Sequence, residues 1–165
     1  MKTISGLFYR IVYEKFADQI LDGVISPEGR FHHSGQPALY LSPSIDAAGH
    51  GLINFVRNDD PPRVSVPLQL NNGRLLDIRD HATCDALDVA PEAPITPWQP
   101  QREAGEPATT WQASDAVRRS GADGMIYTAR TNPARWHVVL FHWNNEHGAA
   151  LSVSGKLQRW PPNIA

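Results

Sequence analysis

A chain of 165 residues has the length of one domain and can bury a core without disulfides or a structural metal. Its 17 acidic and 15 basic residues leave a net charge of -2 with no basic block, which argues against a dedicated nucleic-acid binder; 19% charged residues beside 14 prolines and 12 glycines describe a compact, loop-rich domain rather than a disordered one. No apolar run approaches the roughly 18 residues needed to span a bilayer, Met1 to Arg10 carries no secretion signal, and the single cysteine, Cys84, forms no internal disulfide, so we expect a cytoplasmic protein that engages neither membrane nor nucleic acid.

Leu7 to Val12 is rich in aromatic and β-branched residues and predicts a first strand. Tyr13 to Leu21 predicts a short helix with Phe16 and Ile20 on one face. After a loop and the turn Ser34-Gly35-Gln36-Pro37, Ala38 to Leu41 reads as a buried strand. A helix follows, capped by Ser42 or Ser44 and running through Val56; Gly49 and Gly51 on either side of His50 weaken it and mark a place where something must come close. Arg63 to Leu70 alternates as a strand that Pro67 assigns to an edge or a bulge, and Asn71-Asn72-Gly73-Arg74 predicts a hairpin turn into Leu75 to Ile78. Five prolines break up Asp80 to Thr110, which predicts a long loop with one short helix near Cys84 to Leu87, a lid or partner-binding segment. Thr110 to Gly121 predicts a helix, Gly124 to Ala129 and Trp136 to His142 buried strands, and Ala149 to Val153 a last short strand. Hairpin-like strands outnumber helices, so the fold class is α+β with a mainly antiparallel sheet.

Two residues ten positions apart carry the first chemical signal. Arg30 offers a planar fork of donors for a pyrophosphate or carboxylate, and Tyr40 offers a flat face for stacking. The order of segments around them is similar to that of the RES domain: Tyr9-Arg10-Ile11, Gly29-Arg30-Phe31, Gly35 and Pro37 before Ala38-Leu39-Tyr40-Leu41-Ser42, then Gly121 to Arg130 and Val138 to Phe141. The RES domain is the toxin half of toxin–antitoxin pairs, and the resemblance covers nearly all of residues 1–165. It implies one ADP-ribosyltransferase-like domain, a split, mainly antiparallel sheet flanked by short helices. It further implies an enzyme that cleaves the nicotinamide–ribose bond of NAD⁺ and moves ADP-ribose onto a cellular protein. The alternatives are NAD⁺ depletion by glycohydrolase or phosphorylase action, and a silent binding module. A small helical antitoxin of the Xre or ParS type is the implied partner. NAD⁺ is the substrate, and no metal is implied.

Carried over by resemblance, Arg30 holds the diphosphate or the nicotinamide ribose and Tyr40 stacks on nicotinamide. Thr128 and Arg130 stand in the late strand that contributes to NAD⁺ binding. Two positions depart from the family pattern. A glutamate is usual about where His50-Gly51 stand, and a serine where Ala129 follows Thr128. His50 is therefore the candidate base, able to accept a ribose hydrogen bond near neutral pH but unable to supply a negative charge. Glu28 and Glu146 are candidate substitute carboxylates.

Other residues carry weaker signals. Cys84 is a candidate nucleophile with no visible partner and reads more readily as a structural thiol. His32-His33 and His137 with His142 show no zinc spacing. Trp136 predicts a core position and Trp98 a partner contact, while Asn144 or Asn145 is within a turn that could reach a pocket.

Overall fold

The computed structural model describes residues 1–52 and 56–162. Along the chain it forms β1 (Lys2–Tyr13), a 3₁₀ helix (Glu14–Asp22), β2 (Leu39–Leu41), α1 (Ile45–His50), β3 (Arg63–Asp77), α2 (His81–Ala86), a 3₁₀ turn (Ala93–Ile95), α3 (Trp98–Glu103), α4 (Thr110–Ser120), β4 (Gly124–Thr128), β5 (Trp136–Leu140), β6 (Ala150–Val153) and β7 (Gln158–Trp160). The strands make a sheet in the order β1-β3-β4-β5-β2, and β6 and β7 also pair with β3. The β3–β4 pairing is parallel and the others are antiparallel, which gives the expected α+β class. Reciprocal backbone hydrogen bonds of 2.8 and 3.0 Å between Tyr9 and Ser42 join the middle of β1 to the end of β2. The outer strands of the order thus meet, and the sheet curls back on itself.

Alternation along the strands separates two cores, because successive side chains point to opposite faces. Phe8, Leu41, Val66, Leu68, Ile126, Val138 and Leu140 share one; Met125, Tyr127, Val139 and Phe141 share the other with Cys84 of α2 and Ala113, Ala116 and Val117 of α4. Each large apolar side chain taken out of water stabilises by roughly 1.5–3 kcal/mol, so these two clusters dominate the fold energetics. Gly121, in the left-handed conformation with φ 82°, ends α4 where a glycine was expected.

The structure departs from the sequence reading at several elements. Glu14–Asp22 is a 3₁₀ helix, whose period of three buries Ala17 and Ile20 and leaves Phe16 exposed. Residues 71–74 are not a hairpin turn. β3 runs straight through them, and Ser5 of β1 lies opposite both Asn71 and Asn72, a bulge with Asn72 at φ 55°. The extra residue shifts the inward-facing set from Val66, Leu68 and Leu70 to Leu75.

Nor is β3 an edge strand. Tyr9 directs its backbone groups to Ser42, so its neighbour Pro67 turns its nitrogen away from β1 into the gap between β7 and β6, where no donor is required. Residues 80–110 hold α2, a 3₁₀ turn and α3 rather than one helix in a long loop. Ser44 caps α1, accepting from the Ala47 N–H at 3.0 Å, and the helix stops at His50. Its expected continuation over residues 53–55 lies outside the described residues.

Candidate functional site

Arg30 sits on a tight turn closed by a 2.9 Å hydrogen bond from the Gly29 N–H to the His32 carbonyl. The turn is pinned from three sides. The Phe31 N–H donates to the Tyr40 hydroxyl at 3.0 Å, Trp111 Nε1 donates to the Gly29 carbonyl at 2.9 Å, and the Thr110 hydroxyl donates to the Arg30 carbonyl. The glycine is required because any Cβ at position 29 would run into the His32 ring. The Arg30 guanidinium lies over the rings of Phe31 and Tyr127, with centroids 4.7 and 5.0 Å away. Its Nη2 donates to the carbonyls of Pro94 (2.8 Å) and Thr128 (3.1 Å), whereas its buried Nε has no partner among the described residues.

Arg30 borders a cavity of about 470 Å³ at the edge of the curled sheet. Ser42, His50, Gly51, Tyr127, Arg130, Arg135 and His137 also line it. Three arginines therefore face one space, and none of the described lining residues is a carboxylate. A separate hollow of about 260 Å³ beside the first 3₁₀ helix is mainly apolar, with Arg10 among its lining residues.

Of the residues singled out by sequence, Arg30, His50 and Arg130 meet at the cavity. His50 stands at its rim with its side chain 40% exposed and Nε2 3.4 Å from Asp46 Oδ2. Arg130 is exposed. Tyr40 does not line the cavity. Its hydroxyl is taken by the Phe31 N–H and by His32 Nδ1 (2.8 Å), and burial pushes its pKa up to about 12. The ring packs on the second core, so Tyr40 braces the Arg30 turn from behind. Thr128 contributes its carbonyl to Arg30 and faces a smaller hollow of about 140 Å³ with Arg79, His81 and Ile95.

The remaining candidates have other partners. Glu28 pairs with Arg102 at 3.1 Å. Glu146 is exposed and absent from the cavity. Cys84 is buried, donates to the Ile78 carbonyl at 3.2 Å and has its pKa raised by burial, which makes it a structural thiol. Asn144 closes a turn through two hydrogen bonds to the Leu151 backbone. Trp136 packs edge-on against Phe8 at 6.2 Å, and Trp98 is half-buried at the start of α3. The close approach expected near His50 is real but internal: a Cβ on Gly49 would lie 2.8 Å from the Trp160 ring.

Sequence reasoning missed His137, Ser42, Tyr127 and Arg135 as site residues. His137 Nδ1 lies 3.0 Å from Ser42 Oγ, and its ring sits 5.6 Å from that of Tyr127. Burial, with smaller repulsion from Arg30 and Arg135, lowers the His137 pKa to about 4. A usable signal was present: the alternation of Trp136 to Leu140 puts His137 and Val139 on one face, the one that Tyr127 shares.

Fold and cavity together define an α+β protein with a cavity bordered by three arginines. The family model of the RES domain matches residues 7–163, and the chain belongs to that family. Among solved structures it is similar to the M. tuberculosis MbcT–MbcA toxin–antitoxin complex, with a TM-score of 0.60 and 14% identity over 95% of this chain and 85% of that one. No curated protein matches it at a significant level.

Proposed function

We propose that the cavity binds NAD⁺ and that the protein is the toxin of a toxin–antitoxin pair, moving ADP-ribose from NAD⁺ to a cellular protein. The observation that carries this reading is the convergence of Arg30, Arg130 and Arg135 on one cavity with no carboxylate among its described lining residues. A dinucleotide pyrophosphate supplies the two negative charges such a set lacks, and guanidinium forks match its oxygens. The volume, about 470 Å³, is in the range of small-molecule sites. RES family membership and the likeness to a toxin bound to its antitoxin support the setting, with a small helical Xre- or ParS-type antitoxin as the partner.

Departure of nicotinamide builds positive charge on the ribose, and a site without a carboxylate stabilises that charge poorly. Slow hydrolysis and faster transfer to a docked acceptor follow, because a bound acceptor brings its nucleophile into reach. The test is incubation of the protein, freed of antitoxin, with adenylate-labelled NAD⁺ and cell lysate. A labelled protein band is expected. Free nicotinamide without a band replaces transfer by NAD⁺ depletion, and absence of both product and NAD⁺ binding refutes the cavity assignment.

A further inference from the structure

We propose that His137 is the general base of this cavity, its Nε2 receiving the proton of the hydroxyl or water that attacks the ribose. The inference rests on the NAD⁺ reading above. Glycosyl transfer from NAD⁺ to an oxygen nucleophile must dispose of one proton. As the C1′–N bond breaks, its electron pair leaves with neutral nicotinamide. The nucleophile's oxygen bonds to C1′, and its proton passes to His137 Nε2 and then to solvent.

Four observations single out His137. It lines the cavity, in which no described residue supplies a carboxylate. Its Nδ1 is occupied by Ser42 Oγ at 3.0 Å, while Nε2 has no hydrogen-bond partner among the described residues. The charged groups around it are cations: Arg30 from the turn and Arg135 from the segment before β5. The Tyr127 ring flanks it from β4. Cations on the cavity side favour the tautomer that presents a lone pair there, with Nδ1–H donating to Ser42. Ser42 is thus a positioning residue that selects the tautomer.

The imidazole is neutral at pH 7 because burial holds its pKa to about 4, which gives it the proton affinity of an ordinary glutamate, about 4.3. His50, by contrast, is at the rim with its Nε2 near Asp46.

The test compares wild type with His137→Gln and Ser42→Ala. NAD⁺ affinity is measured by calorimetry, folding by circular dichroism, and nicotinamide release in single turnover with lysate from pH 3.5 to 8. His137→Gln places a neutral amide at the position of Nε2 and takes no proton. It is expected to bind NAD⁺ within twofold of wild type, to release nicotinamide roughly 10²- to 10⁴-fold more slowly, and to lose the acid limb on which wild-type release falls as His137 is protonated. Ser42→Ala is expected to slow release with NAD⁺ affinity unchanged. Folded His137→Gln releasing nicotinamide within threefold of wild type overturns the proposal, as does loss of NAD⁺ binding in that variant, which would make His137 a binding residue. A wild type that fails to bind NAD⁺ fails the functional reading itself, a result distinct from either.

Discussion

Replacing Tyr40 by phenylalanine removes one oxygen and keeps the ring, so it separates two roles for this residue. If the ring stacks on nicotinamide, Phe serves as well. If the hydroxyl braces the Arg30 turn, the substitution leaves the Phe31 N–H without its 3.0 Å acceptor in a residue that is fully buried. It also takes the 2.8 Å partner from His32 Nδ1, although His32 Nε2 keeps its contact with the Ser26 carbonyl at 3.1 Å. An orphaned buried donor costs about 1–3 kcal/mol, and the lost histidine bond adds about 1 kcal/mol, so we expect a loss of about 2–4 kcal/mol. For a chain of this size that lowers Tm by roughly 4–16 °C. The loosened turn carries Arg30, so NAD⁺ affinity should fall several-fold in the same variant. Thermal unfolding followed by circular dichroism and NAD⁺ calorimetry read both effects. A Tm within 1 °C of wild type and unchanged affinity would refute the bracing role and return Tyr40 to stacking.

Two further substitutions probe the frame around the cavity. Gly49→Ala should destabilise by about 1–3 kcal/mol despite the better helix propensity of alanine, because its Cβ meets the buried Trp160 ring at 2.8 Å; a denaturant midpoint equal to or above wild type would show that the ring yields freely. Asp77→Asn addresses pH. Hydrogen bonds from Arg79, with Lys2 adding a smaller share, hold the Asp77 pKa down to about 2. A depressed carboxylate pKa contributes stability above its unfolded value of about 3.9 and loses it as pH falls toward 2. The variant should therefore be less stable by roughly 2 kcal/mol at pH 7 and lose that deficit at acid pH; a deficit independent of pH would contradict the ion-pair account.

How much was legible followed from the range of the signals. α4 shows in its own residues, through its apolar spacing and Gly121. β4 and β5 show in their apolar runs, and Ser44 in its position before α1. β3 was misread because Asn71-Asn72-Gly73 suits a turn and a bulge equally well, and only β1, some 70 positions earlier in the chain, decides between them. β7 carries one buried residue, Trp160, in a polar setting and has no periodicity of its own. Arg30 was legible as a residue of the cavity, whereas the place of Tyr40 behind the turn was not. Parity sets the face to which its ring points, but which backbone N–H meets its hydroxyl depends on how the 29–32 turn folds over it. His137 stood out only beside His142, in a pair without zinc spacing; its partner Ser42 lies 95 positions away, beyond the end of β2.

Gly51 offers the sharpest test of what the cavity lacks. It lines the cavity, its φ of -72° suits any residue, and a Cβ there meets nothing among the described residues within 4 Å. A carboxylate can therefore be added without backbone strain, and without a Cβ clash among the described residues, to a cavity that three arginines also line. If positive charge on the ribose limits release of nicotinamide, Gly51→Glu supplies the missing opposite charge and should raise acceptor-free NAD⁺ hydrolysis at least about tenfold, equivalent to about 1.4 kcal/mol in the barrier. Gly51→Ala is the control for backbone effects and should leave the rate unchanged. The added charge also competes with the pyrophosphate for the arginines, so NAD⁺ affinity should fall while turnover rises, a division that a general change in stability would not produce. Calorimetry gives the affinity and nicotinamide release gives the rate. A glutamate variant that binds NAD⁺ but hydrolyses it no faster than wild type would show that charge on the ribose is not what restrains this site. The barrier would then have to lie in how the nucleophile reaches C1′, the step assigned to His137 and to the docked acceptor.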